Sequence, residues 1–288
     1  MITGPRSFAP AAANSLAFDQ SGQGPDVLLI HGALTTAADM TLALSPFLDG
    51  FRVTAVDRPG HGLSADPSGV ETPWRQAERI HDLAVALGLD RPVVVGHSFG
   101  GAVALAYAVR YPAEMSGAVL LAPIVFPELR MEHGLFAPRA LPFGRLWNRT
   151  LGVGFDTLVL PALWRAMFLP QAMPPAFRDR FPFEQVGARA SLEVEGGDAL
   201  AVNRGLWRTL VDAPACRTPV RIFAGTLDPV VNNAVHGWRL SRLLPDAAFS
   251  WLPGLGHMIH HFAQPPITAA VRDLSAAGER RLSAPMAA

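Results

Sequence analysis

Four apolar residues in a row, Val27-Leu28-Leu29-Ile30, end at His31-Gly32. A run without alternation predicts a strand buried on both faces, as in a parallel sheet. Residues 51–56 predict the next strand, with Asp57-Arg58-Pro59-Gly60 at its end. The period then becomes helical: Trp74, Ala77, Ile80, Ala84 and Leu87 share one face, and Gly88 closes the helix. A strand at 93–95, a helix at 101–110 and a strand at 118–121 follow. After a long interruption the rhythm resumes, with a strand at 220–223, a helix at 235–244, a strand at 248–252 and a helix at 259–274. Strands alternating with helices predict an α/β fold with a mostly parallel sheet and helices on both faces.

The interruption runs from 124 to 215 and is rich in Pro, Phe, Met, Leu and Trp. A span of roughly ninety residues is too long for a structureless loop in a compact domain. It predicts a helical insertion, so that residues 1–123 and 216–288 form the core domain and 124–215 a second unit. The tail from Ala276 is small and polar and is expected to fray.

Composition narrows the function classes. Of 288 residues 50% are hydrophobic and 17% charged, which excludes a disordered chain. Basic and acidic residues balance at 24 each, so the basic footprint of a nucleic-acid binder is missing. The single cysteine, Cys216, rules out an intrachain disulfide and a cysteine zinc site, and suits a reducing compartment. Residues 1–20 lack the continuous apolar core of a leader peptide. Residues 92–109 and 247–271 carry no Asp, Glu or Arg, but Gly, Pro and His interrupt them, so neither reads as a membrane span. A cytoplasmic protein without an integral membrane segment is expected.

Gly96-His97-Ser98-Phe99-Gly100 fits G-x-S-x-G between a strand and a helix, the context of a nucleophile elbow. The sharp turn lifts the Ser98 hydroxyl above the sheet. Gly96 and Gly100 let strand and helix approach without Cβ clashes. A serine needs a base, and the base needs an orienting carboxylate. Asp228 follows one late strand and His257 the next, at the edge of an open α/β sheet where catalysis collects. His260 and His261 are rival bases, and Glu128 is the main rival acid. His97 is expected to pack beneath the elbow, Asp57 to fix a loop, and Cys216 to be an inert small hydrophobe. A tetrahedral oxyanion needs preorganised donors. The backbone N–H of Phe99 is one; the other comes from the loop after the first strong strand, at Ala33, with Leu34 as second choice. His31 and Gly32 shape that loop.

With these residues in hand, the sequence resembles the α/β-hydrolase superfamily. The resemblance rests on His31-Gly32-Ala33, Asp57-Arg58-Pro59-Gly60-His61-Gly62-Leu63-Ser64, Gly96-His97-Ser98-Phe99-Gly100-Gly101, the Asp228 segment and Gly256-His257. These motifs lie in the family's order, from about residue 25 to 275. The resemblance implies a Ser98–Asp228–His257 triad, oxyanion donors at Ala33 and Phe99, and a helical cap after the strand at 118–121. Epoxide hydrolases and haloalkane dehalogenases look similar in the first half but carry aspartate at the elbow, where this chain has Ser98. The irregular start of the chain suggests degenerate first antiparallel strands.

The insertion carries many large apolar residues, among them Met131, Phe136, Trp147, Phe155 and Phe177, most of them expected in its own core. An apolar roof favours a hydrophobic small-molecule substrate, with Leu34, Trp164, Phe168 and Met258 as candidate pocket residues. Arginines of the insertion, including Arg130, Arg139, Arg145, Arg149 and Arg165, form a solvated face or grip a carboxylate. The expected activity is hydrolysis of small to medium carboxylic esters through an acyl-enzyme, with no metal or cofactor. Carbon–carbon bond hydrolysis of a diketone-like or ring-cleavage product, perhydrolase-type activity, and a non-catalytic binder on the same fold are the alternatives.

Overall fold

The computed structural model describes residues 7–8, 16–65, 71–141, 143–144 and 152–283. Trp147, Arg145 and Arg149 lie outside the described residues, as do the side chains of Met131 and Phe155 and most of residues 1–20.

Among the described residues eight strands form one sheet: β1 (Ser7–Phe8), β2 (Ala17–Ser21), β3 (Asp26–Ile30), β4 (Arg52–Val56), β5 (Val93–His97), β6 (Gly117–Leu121), β7 (Val220–Gly225) and β8 (Ala247–Leu252). Their spatial order is β1-β2-β4-β3-β5-β6-β7-β8. β1 pairs antiparallel with β2, and β2 antiparallel with β4; the remaining neighbours are parallel. β2 is a regular five-residue strand paired to β4, so this first antiparallel edge is less degenerate than expected. β3, β5 and β6 are buried at every position, which explains their unbroken apolar runs.

Helices α1 (Ala37–Leu44), α2 (Pro73–Ala86) and α3 (Phe99–Arg110) connect the early strands. Two apolar cores result. One joins Leu28, Ile30, Val94 and Leu120 to α2 and α3. The other joins Leu29, Val95, Val119 and Leu121 to α1 and the last helix, Gln264–Ser283.

Three local expectations change. The last helix begins at Gln264, and Ile259–His261 is a separate 3₁₀ turn. Pro265 and Pro266 thereby fall in the first turn, where a missing N–H costs nothing. That helix runs on to Ser283 rather than fraying at Ala276: Arg281 Nη2 donates to Ser116 O at 2.7 Å, and Gly278 packs against Ser116. The helix expected at 235–244 is a π turn, Ala234–Trp238, leading into Arg239–Leu243.

Between β6 and β7 the chain is helical, with Gly152–Phe168 and Arg189–Asp212 as its longest members. A third apolar cluster joins this inserted segment to the sheet edge. It packs Leu34 and Met258 against Trp164, Phe168, Phe177 and Leu192.

Candidate active site

β5 ends in a turn whose glycines the packing requires. A Cβ at Gly96 would overlap the Gly100 carbonyl, and one at Gly100 would overlap the carbonyls of Ile30 and His31. Ser98 follows with φ 53° and ψ −114°, a conformation unfavourable for any residue with a Cβ. The strain is held by backbone bonds: Ser98 N–H donates to Leu121 O at 2.9 Å, and Ser98 O accepts from Gly101 at 3.0 Å and Ile124 at 3.1 Å. Ser98 is the N-cap of α3, beside the positive end of that helix.

Asp228 and His257, on the loops after the neighbouring strands β7 and β8, meet directly. His257 Nδ1 lies 2.9 Å from Asp228 Oδ2, and both side chains are buried. The remaining carboxylate valences are filled. Asp228 Oδ1 accepts the N–H groups of Val230 and Val231 at 2.8 and 2.9 Å, and Oδ2 also accepts Asn233 Nδ2 at 2.9 Å. Burial pushes the Asp228 carboxyl up. Attraction to His257 and these hydrogen bonds outweigh it, holding the group below the usual carboxylate range.

The rival residues have other partners. Glu128 Oε1 sits 2.9 Å from His236 Nε2 and 2.8 Å from Arg130 Nη1. His260 and His261 both approach Asp39 Oδ1 through Nε2, at 3.0 and 2.7 Å. His97 packs between His257 and His260, with ring centroids 4.7 and 4.3 Å away, and its Nε2 donates to His257 O at 3.2 Å. Asp57 fixes two loops by accepting the N–H groups of Ala37 and Leu63. Cys216 is buried and free.

On the donor side, Ala33 and Phe99 share a cavity of about 30 Å³ with Ile124, Arg130, His133, Glu195 and Asp198. The Leu34 N–H is committed elsewhere, to Glu195 Oε1 at 2.5 Å. Leu34, Trp164, Phe168 and Met258 sit together in the apolar cluster under the inserted segment and do not wall this cavity. A larger open cleft of about 760 Å³ lies beyond Asp228, between Arg130, Asn233 and Trp251, and neither Ser98 nor His257 lines it. Of these two, the smaller reaches the elbow through Phe99, and Ser98 and His257 line neither.

Carboxylates contribute more to this site than the sequence suggested. Glu195 and Asp198 are buried on the helix Arg189–Asp212, one turn apart, opposite Arg58 and His61. Arg58 Nη1 donates to Asp198 Oδ2, Gln76 Nε2 donates to Asp198 Oδ1 at 2.8 Å, and His61 Nε2 lies 3.2 Å from Glu195 Oε1. The Arg58 guanidinium stacks 4.4 Å from the Phe99 ring centre. Burial, and next Glu195, push the Asp198 carboxyl up against the pull of Arg58 and His61. Among the described residues, ligand-type atoms gather within 4.8 Å in two buried groups, Asp39–His97–His260 and His61–Glu195–Asp198. In both, the carboxylates already bond to histidine, arginine or backbone N–H groups. Glu195 escapes local pattern reading because its partners lie more than a hundred positions away.

A family model described as the alpha/beta hydrolase family matches residues 27–271. The chain is 30% identical over 240 residues to a pimeloyl-[acyl-carrier protein] methyl ester esterase of Aromatoleum aromaticum, covering 81% of this chain and 91% of that one. It is 28% identical over 267 residues to haloalkane dehalogenase 2 of Mycobacterium bovis, covering 87% of each. A thermophilic esterase from Thermogutta terrifontis superposes with a TM-score of 0.71 at 22% identity, over 94% of this chain and 97% of that one. Among the described residues no helix is long and apolar enough to cross a membrane.

Proposed function

The chain belongs to the alpha/beta hydrolase family, and from that premise we propose that it is a serine hydrolase of small to medium hydrophobic carboxylic esters. Ser98 Oγ attacks the ester carbonyl while His257 Nε2 takes its proton. Asp228 holds the His257 ring through Nδ1–H and stabilises the imidazolium that forms. The N–H groups of Ala33 and Phe99 receive the oxyanion. His257 returns the proton to the departing alcohol, leaving an acyl-enzyme on Ser98. A water, deprotonated by His257, releases the acid.

One observation carries this reading: the 2.9 Å contact between buried His257 and Asp228, on adjacent loops at the strand ends where Ser98 is held in its strained turn. Serine at the elbow also separates the chain from the dehalogenase it resembles in sequence. Displacement of a halide by Ser98 would leave a stable ether that water does not hydrolyse. The esterase relatives fit the ester reading. Residues 124–215 act as a cap over the site, and residues 1–123 and 216–288 form the core. The lone buried thiol of Cys216 suits a reducing, cytoplasmic setting.

The test is hydrolysis of p-nitrophenyl esters of increasing acyl length, wild type beside Ser98→Ala. Turnover should peak at one chain length and be lost in the variant. No turnover at any length would reject ester hydrolysis and favour carbon–carbon cleavage or a binder.

A further inference from the structure

The loop after β3 is tied from two directions. In a trans peptide the C=O and N–H bonds point to opposite edges. The Gly32–Ala33 peptide therefore carries Gly32 O on one edge and the Ala33 N–H on the other. Three donors converge on Gly32 O: His31 Nδ1 at 2.8 Å, Thr35 Oγ1 at 3.2 Å and Arg58 Nη2 at 3.2 Å. The His31 tautomer is fixed independently. Its Nε2 accepts the Arg58 backbone N–H at 2.9 Å, so Nδ1 carries the proton. Burial, with Arg58 and His61 nearby, keeps this imidazole neutral by holding its pKa well below the ordinary value. With the carbonyl edge held, the Ala33 N–H faces away from these donors. Gly32 abuts the elbow: a Cβ there would lie 3.0 Å from His97 Nδ1 and 3.2 Å from Ser98 Cβ.

The following residue is held from the inserted segment. Leu34 has φ 55°, a left-handed conformation that leucine does not keep unaided. Its N–H donates to Glu195 Oε1 at 2.5 Å and its carbonyl accepts Trp164 Nε1 at 3.0 Å. Both partners lie between β6 and β7, 161 and 130 positions along the chain. The helix that bears Glu195 also bears Asp198, which anchors Arg58, one of the donors to Gly32 O. The inserted segment thus reaches the loop directly at Leu34 and through Arg58 at Gly32.

We infer that Glu195 and Trp164 are positioning residues: through Leu34 they hold the loop at 31–35 in the shape that aims the Ala33 N–H at the tetrahedral oxygen, so the seated insertion completes the oxyanion hole. This rests on the ester-hydrolase reading. Glu195 and Trp164 touch no reacting atom in this account; they act through the backbone.

Two readouts test it on the full chain. Hydrogen–deuterium exchange over residues 31–36 reports the loop without needing turnover. Steady-state kinetics with a short p-nitrophenyl ester report the hole. Glu195→Ala and Trp164→Phe should each make the loop exchange roughly tenfold faster or more. They should lower kcat by about 10- to 100-fold with KM nearly unchanged, less than the loss of a whole donor. Glu195→Gln keeps an acceptor oxygen for Leu34 and should restore most of both. Folded Glu195→Ala and Trp164→Phe proteins with wild-type loop exchange and wild-type kcat would overturn the inference. If the wild type neither hydrolyses esters nor reacts with a fluorophosphonate at Ser98, the ester reading has failed, and the oxyanion role of the clamp falls with it. The exchange arm then decides separately whether the clamp on the loop exists.

Discussion

Replacing Asp228 by asparagine exposes the logic of the proposed proton relay. Four donors surround the carboxylate: two backbone N–H groups on Oδ1, and Asn233 Nδ2 and His257 Nδ1 on Oδ2. An amide offers one acceptor oxygen and one NH₂ group. The Val230 and Val231 donors are fixed by the chain, so the amide oxygen is expected to stay with them and the NH₂ to face Asn233 and His257. His257 then meets a donor at Nδ1 and must present that nitrogen as an acceptor. Its proton moves to Nε2, the atom that must take the Ser98 proton. The ring stays in place, but it is the wrong tautomer. A comparable tautomer error elsewhere costs about 10⁴ in kcat, or about 5.5 kcal/mol of barrier. The assay is kcat/KM on a short p-nitrophenyl ester, with circular dichroism confirming the fold and Glu128→Gln as control. The control should stay within a few-fold of wild type, because Glu128 serves His236 and Arg130. A folded Asp228→Asn enzyme keeping more than about a tenth of its activity, or a Glu128→Gln enzyme losing more, would refute the assignment.

Two stability predictions follow from buried charge. Asp198→Asn removes the anion facing Arg58, whose side chain is 0% exposed. The expected loss is about 3–5 kcal/mol, or about 6–12 °C in Tm, with much of it recovered by the apolar pair Arg58→Met with Asp198→Leu; thermal denaturation of both variants tests this. Acid should weaken the fold through His31 and His97, whose folded pKa values burial holds well below the ordinary imidazole value of about 6.5. As pH falls below that value, the unfolded chain binds protons that the folded chain refuses. Stability should drop by up to about 1.4 kcal/mol per pH unit for each histidine, until the folded pKa is reached. Asp39, held well below its usual range against burial by His260 and His261, stays ionised in that window and adds nothing to the slope. Urea unfolding at pH 7, 6 and 5 measures the slope; a flat profile contradicts it.

How legible each part was depends on how local its cause is. β3 and β5 announce themselves because strands buried on both faces read as unbroken apolar runs. The elbow is legible because Gly96 and Gly100 are demanded by backbone crowding within a few residues. Helix α1 carries little sequence signal: it is eight residues long, mostly apolar without a clear polar face, and lacks a side-chain cap bond at Thr36. Its start is held from a distance by Asp57, and Asp39 within it meets His260 and His261. The same holds for Glu195, whose bond to Leu34 spans 161 positions. Spacing rules see neighbours along the chain and carry no signal for such a contact. The inserted segment was legible as a helical interruption, whereas the acid pair it presents to the site was not.

The proposed chemistry stands on Ser98 being an activated nucleophile. The most direct measurement is reaction of the folded protein with a fluorophosphonate, followed by mass spectrometric mapping of the adduct. Stoichiometric, time-dependent phosphonylation is expected at Ser98, lost in Ser98→Ala and strongly slowed in Asp228→Asn. Folded wild-type protein that stays unmodified, or is modified at another residue, would contradict it.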